Sequence, residues 1–576
     1  MAPSDRSDQH RLSRRGFLTG VAAGAVAMPL LNACVPGQPA APAPAGGGGA
    51  AGGAAGGAAS KFPTYIPVAN GPKPDFHEAN PLYSDAFENY PANPIKANDK
   101  APGTGSTVNV MIAGYFPLPT PPDLNPTWQA VNKALNSDVK MNISPGADYR
   151  LKFPTVMSSD DLPDIMHLFF GYSIAPNLPG FFKAKCADLT PYLSGDAAKD
   201  YPYLAALPTP AWKNSVSVVD GALYLIPIHR QMTSIPPVGG NFFKNDSMWD
   251  PVVGRDFVPK NADDFKRVLT QLNRPNENRW AIGNVGNNDA LFGLGGYLQM
   301  FGAANRWKLD GGKLIRDRET EEYKAAVGYL RDIIASGLMH PDAPGWTQSR
   351  TDGFVPQKIA LSVEGQGNSW VDFWQRGLQL NPPVKYNMIK PFPAQDSMKP
   401  IQYLGTGFVS MNVLKKASAD RIKELLRIMN WLAAPFGSQE DLLLTYGIEG
   451  QDYTKDEKGN PKPTAEGIAR AGYVPWRYIA QHPWVFYQAG LAGFAQASND
   501  AEKATIPLGI DDPTNGFYSP TSYAKGAVAD VAFNDGMREV LRSIRPMSDV
   551  DTLVKDWLRD AGDQIKKEYT EAMAAK

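Results

Sequence analysis

Two cysteines in 576 residues cannot carry a disulfide scaffold, and six scattered histidines cannot build a dense zinc site. Charge of one sign is missing too. The 57 Lys and Arg face 58 Asp and Glu, for a formal net charge of −1, which argues against an electrostatic nucleic-acid binder. Beyond the first forty residues, no stretch reaches the ~18 continuous apolar residues of a membrane-spanning helix. Gly-x-Ser-x-Gly, His-Glu-x-x-His, a phosphate-cradling glycine loop and Cys-x-x-Cys are all absent. No cofactor, no metal and no catalytic residue is therefore expected, although many hydrolases carry no short motif. What is present is 43% hydrophobic residues, in a chain long enough for at least two domains. Of the 54 glycines, many crowd one early tract and so report a linker more than a fold.

That tract follows an address. Ser13-Arg14-Arg15-Gly16-Phe17-Leu18 precedes a mild apolar run ending at Leu31, and the pattern resembles a twin-arginine export signal. Leu31-Asn32-Ala33-Cys34 is similar to a bacterial lipobox, which implies lipidation of Cys34 as the mature N-terminus. Residues 1–33 then form a signal peptide, and the protein sits on the outer face of the cell membrane. An uncleaved N-terminal anchor is the alternative, but the run is short and rich in Ala and Gly. Residues 34–60 hold the lipidated Cys and a Gly/Ala-rich tether, whose reach is about 5–6 Å times the square root of its length. Cys186 is left without a partner and is expected to be a buried spectator.

Residues 61–104 are Pro-rich and aromatic, with Tyr65, Phe76, Tyr83, Phe87 and Tyr90. They predict an extended arm that packs on the body through its rings. From Thr107 the pattern changes. Strands are predicted at 108–112, 140–143 and 165–169, with helices at 128–135 and 149–157 between them. This alternation predicts α/β architecture with a parallel sheet covered on both faces. Further strands are predicted at 223–228, 359–363 and 408–411. Tyr323, Val327, Leu330 and Ile334 share one helix face, with Gly337 as the stop. Ile422, Leu425, Leu426 and Met429 repeat that spacing, as do Val550, Leu553, Val554, Trp557, Leu558 and Ile565.

Several segments, in order, then resemble one family. They are Asp161-Leu162-Pro163-Asp164-Ile165, Ala187-Asp188-Leu189-Thr190-Pro191, Asp220-Gly221-Ala222-Leu223-Tyr224-Leu225-Ile226-Pro227 and Pro259-Lys260-Asn261-Ala262-Asp263-Asp264-Phe265. Ala433-Ala434-Pro435-Phe436-Gly437-Ser438, followed by Tyr446-Gly447-Ile448-Glu449-Gly450, completes the series. From about Thr107 to the C-terminus the chain resembles extracellular solute-binding protein family 1, the carbohydrate-type lipoproteins of ABC importers, in its long Gram-positive branch. The resemblance implies a two-lobed, type II periplasmic-binding-protein-like fold joined by a hinge. Lobe 1 is expected at 105–228 plus 405–475, and lobe 2 at 229–404 plus 476–576. Two departures stand out. Pro154 should kink or break its helix, and 273–279 carries two cations and lacks the Gly of a calcium loop.

Ligand contacts in such a fold come from loops at strand ends facing the cleft. Here these loops nominate Tyr115 and Phe116, then Phe169, Phe170 and Tyr172, then His229, Arg230 and Gln231 at the hinge. Lobe 2 offers Asn287, Asn288 and Asp289, then Gln366, Asn368 and Trp370, with Tyr403 at the return crossing. Rings for sugar faces and amides or guanidinium for hydroxyl edges suit a carbohydrate ligand. Trp370→Ala and Gln366→Ala are expected to weaken binding without changing the melting temperature. The partners implied by the resemblance are ABC permease subunits with a separate ATPase, and a monomer is expected. The competing functions are a secreted glycoside hydrolase, for which Glu364 and Asp372 could be nominated, and a surface adhesin.

Overall fold

The computed structural model describes residues 61–169, 175–233, 240–287 and 290–575. Cys34, the export signal and the tether therefore lie outside the described residues. Two separate sheets organise the rest. The first has five strands in the order Asp138–Pro145, Thr107–Gly114, Ile165–Leu168, Phe408–Leu414, Ile226–His229. The first three are parallel, joined by the helices Pro126–Leu135 and Gly146–Ser158. The Phe408–Leu414 strand is antiparallel to both of its neighbours, so the sheet is mixed and the all-parallel expectation is corrected. The reason is connectivity. This strand enters lobe 1 only after the chain has built the second sheet, so no right-handed βαβ crossover dictates its direction.

Both faces of this sheet are covered. Along Thr107–Gly114, Val108, Val110 and Ile112 pack with Trp128, Val131 and the helix Ala419–Leu432. Met111 and Ala113 point to the other side, against Tyr149, Phe153 and Phe182. That is the period-two alternation of a strand buried on both faces. Pro154 does not break its helix, which runs unbroken through it. Tyr149 and Phe153, both fully buried, hold that helix on the sheet and offset the backbone hydrogen bond that proline removes. Cys186 is fully buried in the same core, and burial pushes its thiol well above the ordinary value.

The second sheet has four strands in the order Tyr386–Met388, Asn241–Asn245, Ile359–Glu364, Trp280–Ile282. Phe242 faces a core built with the helices Ala262–Leu272, Glu321–Ala335, Ala527–Leu541 and Asp549–Trp557. Its neighbour Phe243 faces Trp370, Phe373, Trp374 and Phe494 instead. Asn261 caps the Ala262–Leu272 helix, accepting from the Asp264 amide at 2.9 Å.

Residues 61–104 run over both lobes. Thr64 and Ile66 donate to the carbonyls of Gly195 and Ala205 in lobe 1. Asp85–Phe87 then pairs in parallel with Val485–Tyr487, and the Ser84 amide and hydroxyl donate to Glu502 at 2.7 and 3.0 Å. The segment returns to lobe 1, where Thr104 and Ser106 donate to Glu424. Phe87 and Tyr90 pack on Phe436 at 4.6 and 5.1 Å between ring centres.

Candidate ligand-binding cleft

Two crossing segments lie side by side between the lobes. The Arg230 amide donates to Gly407 O at 3.0 Å, and the Gly405 amide to Met232 O at 2.6 Å. Gly407 has φ +79°, and a Cβ there would meet Met232 Sδ at 2.8 Å, so glycine is required twice over. A third segment, 473–488, closes this hinge. Asn412, fully buried in the Phe408–Leu414 strand, donates its amide to Tyr478 O and Ile479 O at 2.9 and 3.0 Å. Trp476 packs edge-on against Trp128 in the lobe 1 core, 5.5 Å away. The Trp484 amide donates to His229 Nδ1 at 2.8 Å.

These contacts frame an open cleft of about 530 Å³. Its wall includes Phe116, Arg230, Arg477, Tyr478, Gln481, His482 and Trp484, with Gln375 from the lobe 2 helix Asn368–Gly377. Tyr115 stacks on Tyr478 at 4.1 Å and 20°, and meets the edge of Phe169 at 4.8 Å. Phe116 is 55% exposed, at the cleft rim beside Tyr473. The Arg230 guanidinium lies 4.6 Å over the Trp484 ring, within cation–π range, and 5.9 Å from Tyr478. Its Nη1 donates to His229 O at 2.8 Å and to Gln481 Oε1 at 2.9 Å.

Electrostatically the wall is simple. Burial pushes His229 and His482 down to about 3, helped for His229 by Arg230 and for His482 by Arg477, so both rings are neutral at pH 7. His229 Nδ1 accepts from Trp484 and therefore carries its proton on Nε2. Among the described residues, Asp441 is the one carboxylate lining the cleft. It already holds Arg477 and accepts from Tyr90 Oη and the Gly437 amide, each at 2.8 Å. Burial lowers Arg477 to about 10, with the charge of Arg230 adding to it against the opposing influence of Tyr90.

The nominated residues divide sharply. Phe116 and Arg230 line the cleft, while Tyr115 lies behind its wall, stacked on Tyr478 and backed by buried Phe169. His229 and Gln231 are buried beside the crossing, and neither side-chain amide atom of Gln231 has a hydrogen-bond partner among the described residues. Lobe 2 is different. Trp370 is 1% exposed, donates Nε1 to Tyr386 O at 2.7 Å and packs between Phe243 and Phe494. Tyr403 is also 1% exposed and donates its hydroxyl to Ala303 O at 3.0 Å. Gln366 is equally buried, with Nε2 3.0 Å from Met388 Sδ. These positions are corrected from cleft to core, because the sheet and its covering helix close over them. Trp370 also borders a separate cavity of about 250 Å³ shared with Lys244, Arg255 and Asp500. Phe170, Tyr172, Asn288, Asp289 and the Asn368 side chain lie outside the described residues, while Asn287 accepts from the Ala290 amide.

The sequence reading missed the 473–488 wall. Its signal was available: Tyr473, Trp476, Arg477, Tyr478, His482 and Trp484 crowd a proline-punctuated stretch beside the expected lobe boundary.

No family model matches the chain. It is 24% identical over 511 residues, 82% of its length and 93% of the relative's, to Lipoprotein LipO of Bacillus subtilis (strain 168). Over 394 residues, 66% of this chain and 75% of the relative, it is 24% identical to the polygalacturonan/rhamnogalacturonan-binding protein YtcQ of the same organism. An extracellular solute-binding protein from Bifidobacterium longum subsp. infantis matches with a TM-score of 0.60 at 12% identity. That match covers 81% of this chain and 98% of the other. Two sheets, three hinge segments and an open cleft between them define the class: the chain has a two-lobed fold, the fold of the solute-binding protein it matches.

Proposed function

We propose that the chain captures a saccharide between its lobes and delivers it to the permease of an ABC importer, without chemistry of its own. The observation that carries this reading is the cleft wall. Exposed Phe116, Tyr478 and the Arg230–Trp484 pair offer ring faces for sugar C–H groups and donors for hydroxyl edges. The names of the relatives point the same way, one a lipoprotein and one a binder of pectic polysaccharides. Ligand bridging the lobes shifts an open ensemble toward closed only as far as it binds closed better than open. The closed form then meets two permease subunits served by a separate ATPase, with Cys34 as the lipid anchor that keeps it at the outer membrane face.

A glycoside hydrolase needs two carboxylates about 5–10 Å apart across its cleft. Asp441 is committed to Arg477, and Asp372 to Arg376 at 2.9 Å on its own helix, which supports binding over hydrolysis. A thermal-shift screen of saccharides, polyols and peptides tests the reading. A ligand at 100 times its dissociation constant adds about 2.7 kcal/mol of stability. A saccharide hit recovered intact supports capture. A cleaved hit establishes an enzyme, and hits confined to peptides or polyols overturn the saccharide assignment.

A further inference from the structure

Among the described residues Arg230 has no counter-charge: no carboxylate lies within 4 Å of it, and its partners, the His229 carbonyl, the Gln481 side-chain oxygen and the Tyr478 hydroxyl, are neutral. The other ionisable groups of the wall do not neutralise it. His229 and His482 are uncharged, and Asp441 is spent on Arg477. A half-buried guanidinium held on neutral oxygens keeps a net positive charge in a wall that water only partly reaches. In the same wall, Trp484 Nε1 and Arg477 Nη1 are buried with no acceptor among the described residues. Neutral sugar hydroxyls need acceptors as well as donors. Among the described residues, the one carboxylate of this wall, Asp441, is committed to Arg477.

We infer that the cleft selects an acidic saccharide, one carrying a uronate carboxylate, and that Arg230 is the residue that determines this specificity. The inference rests on the saccharide reading above and narrows it. The planar guanidinium fork matches a carboxylate in a bidentate pair, and the Trp484 ring beneath it fixes the plane of that fork. A sugar ring bearing the carboxylate would then lie along the aromatic wall, its charge replacing the missing counter-ion.

The test uses the full chain and a matched panel. Short oligomers of galacturonate, glucuronate and mannuronate are titrated calorimetrically beside their own carboxyl-reduced, neutral counterparts. At least one acid should bind about 30-fold or more tighter than its reduced partner, with the advantage shrinking as salt rises. Arg230→Gln should bring the acid's affinity down to about that of its neutral partner, and an unchanged denaturation midpoint reports an intact fold. Arg230→Lys, which keeps the charge but loses the fork, should fall between them. Neutral oligomers binding as well as the acids would overturn the inference and leave saccharide capture standing. So would an acid preference that survives Arg230→Gln. If no acidic or neutral saccharide binds, the saccharide reading itself falls, and the inference falls with it.

Discussion

The two lobes use aromatic and charged residues in opposite ways. Lobe 1 and the hinge segment bring Phe116, Arg230, Tyr478 and Trp484 to an open cleft. Lobe 2 places Trp370, Trp374, Tyr386 and Phe494 in a closed cluster, with both indole N–H groups spent on one carbonyl, Tyr386 O. The arm repeats the contrast. On lobe 1, Glu424 is a charged rivet. Burial alone would raise it, but hydrogen bonds from Thr104, Arg421 and Ser106 pull it down to about 2. On lobe 2, Glu502 is wholly desolvated, and burial pushes it up to about 8 despite the Ser84 bonds. An identical residue type thus fastens one segment by ionisation in one place and by neutrality in the other. What differs is whether a cation stands beside it.

The largest effect expected is at Trp370. Trp370→Ala should cost about 3–5 kcal/mol, read as a lower denaturation midpoint, with ligand affinity of the folded fraction unchanged. A near-normal midpoint with lost affinity would erase the distinction between the lobes and return Trp370 to the ligand.

The two rivets should differ in the sign of their pH dependence. Glu424 has a folded value below its unfolded one, so its contribution is full above about pH 4.5 and is lost as pH falls toward about 2. For Glu502 the folded value is raised, so stability is greatest below about pH 4.5 and falls by up to about 1.4 kcal/mol per pH unit toward about pH 8. Glu502→Gln keeps an acceptor for the Ser84 amide and should raise stability by about 2 kcal/mol at about pH 8.5, with little change at about pH 4. Glu424→Gln should instead cost about 2 kcal/mol near neutrality, because Arg421 loses one of its two carboxylate partners and keeps only Asp164. Melting curves across pH check both, and parallel curves for the two variants would break the contrast.

Trp484→Ala should weaken ligand binding by about tenfold, equal to about 1.4 kcal/mol, with a smaller loss of stability, as measured by calorimetric titration and denaturation side by side. The smallest effect belongs to Phe116. Because the ring is more than half exposed, Phe116→Ala should leave stability within about 0.5 kcal/mol while measurably weakening a saccharide ligand. A stability loss as large as at Trp370 would show that the rim ring is structural.

Much of the scaffold was legible. The 3.6-residue spacing of Tyr323, Val327 and Leu330 marked the helix Glu321–Ala335, and all three are buried. The short apolar run at 108–112 marked the strand Thr107–Gly114. Of the nominated residues, Arg230 and Phe116 fall in the wall of the candidate cleft, with Tyr115 behind it against Tyr478. Lobe 2 misled because a strand-end position says where the backbone emerges, not which way a side chain turns. Trp370, in the first turn of its helix, faces inward to Phe243 and Phe494, residues far from it in sequence.

Patterns of apolar spacing and turn chemistry, which are local, were enough to set the elements, their order and the hinge crossing at Ile226–His229. The antiparallel placement of Phe408–Leu414, the burial of Trp370 and Tyr403, and the assembly of 473–488 into a cleft wall were decided only in three dimensions. Each depends on contacts between segments remote in the chain. Asn412 holding the carbonyls of Tyr478 and Ile479 is such a contact, and no local periodicity encodes the partner a polar group finds when the chain packs.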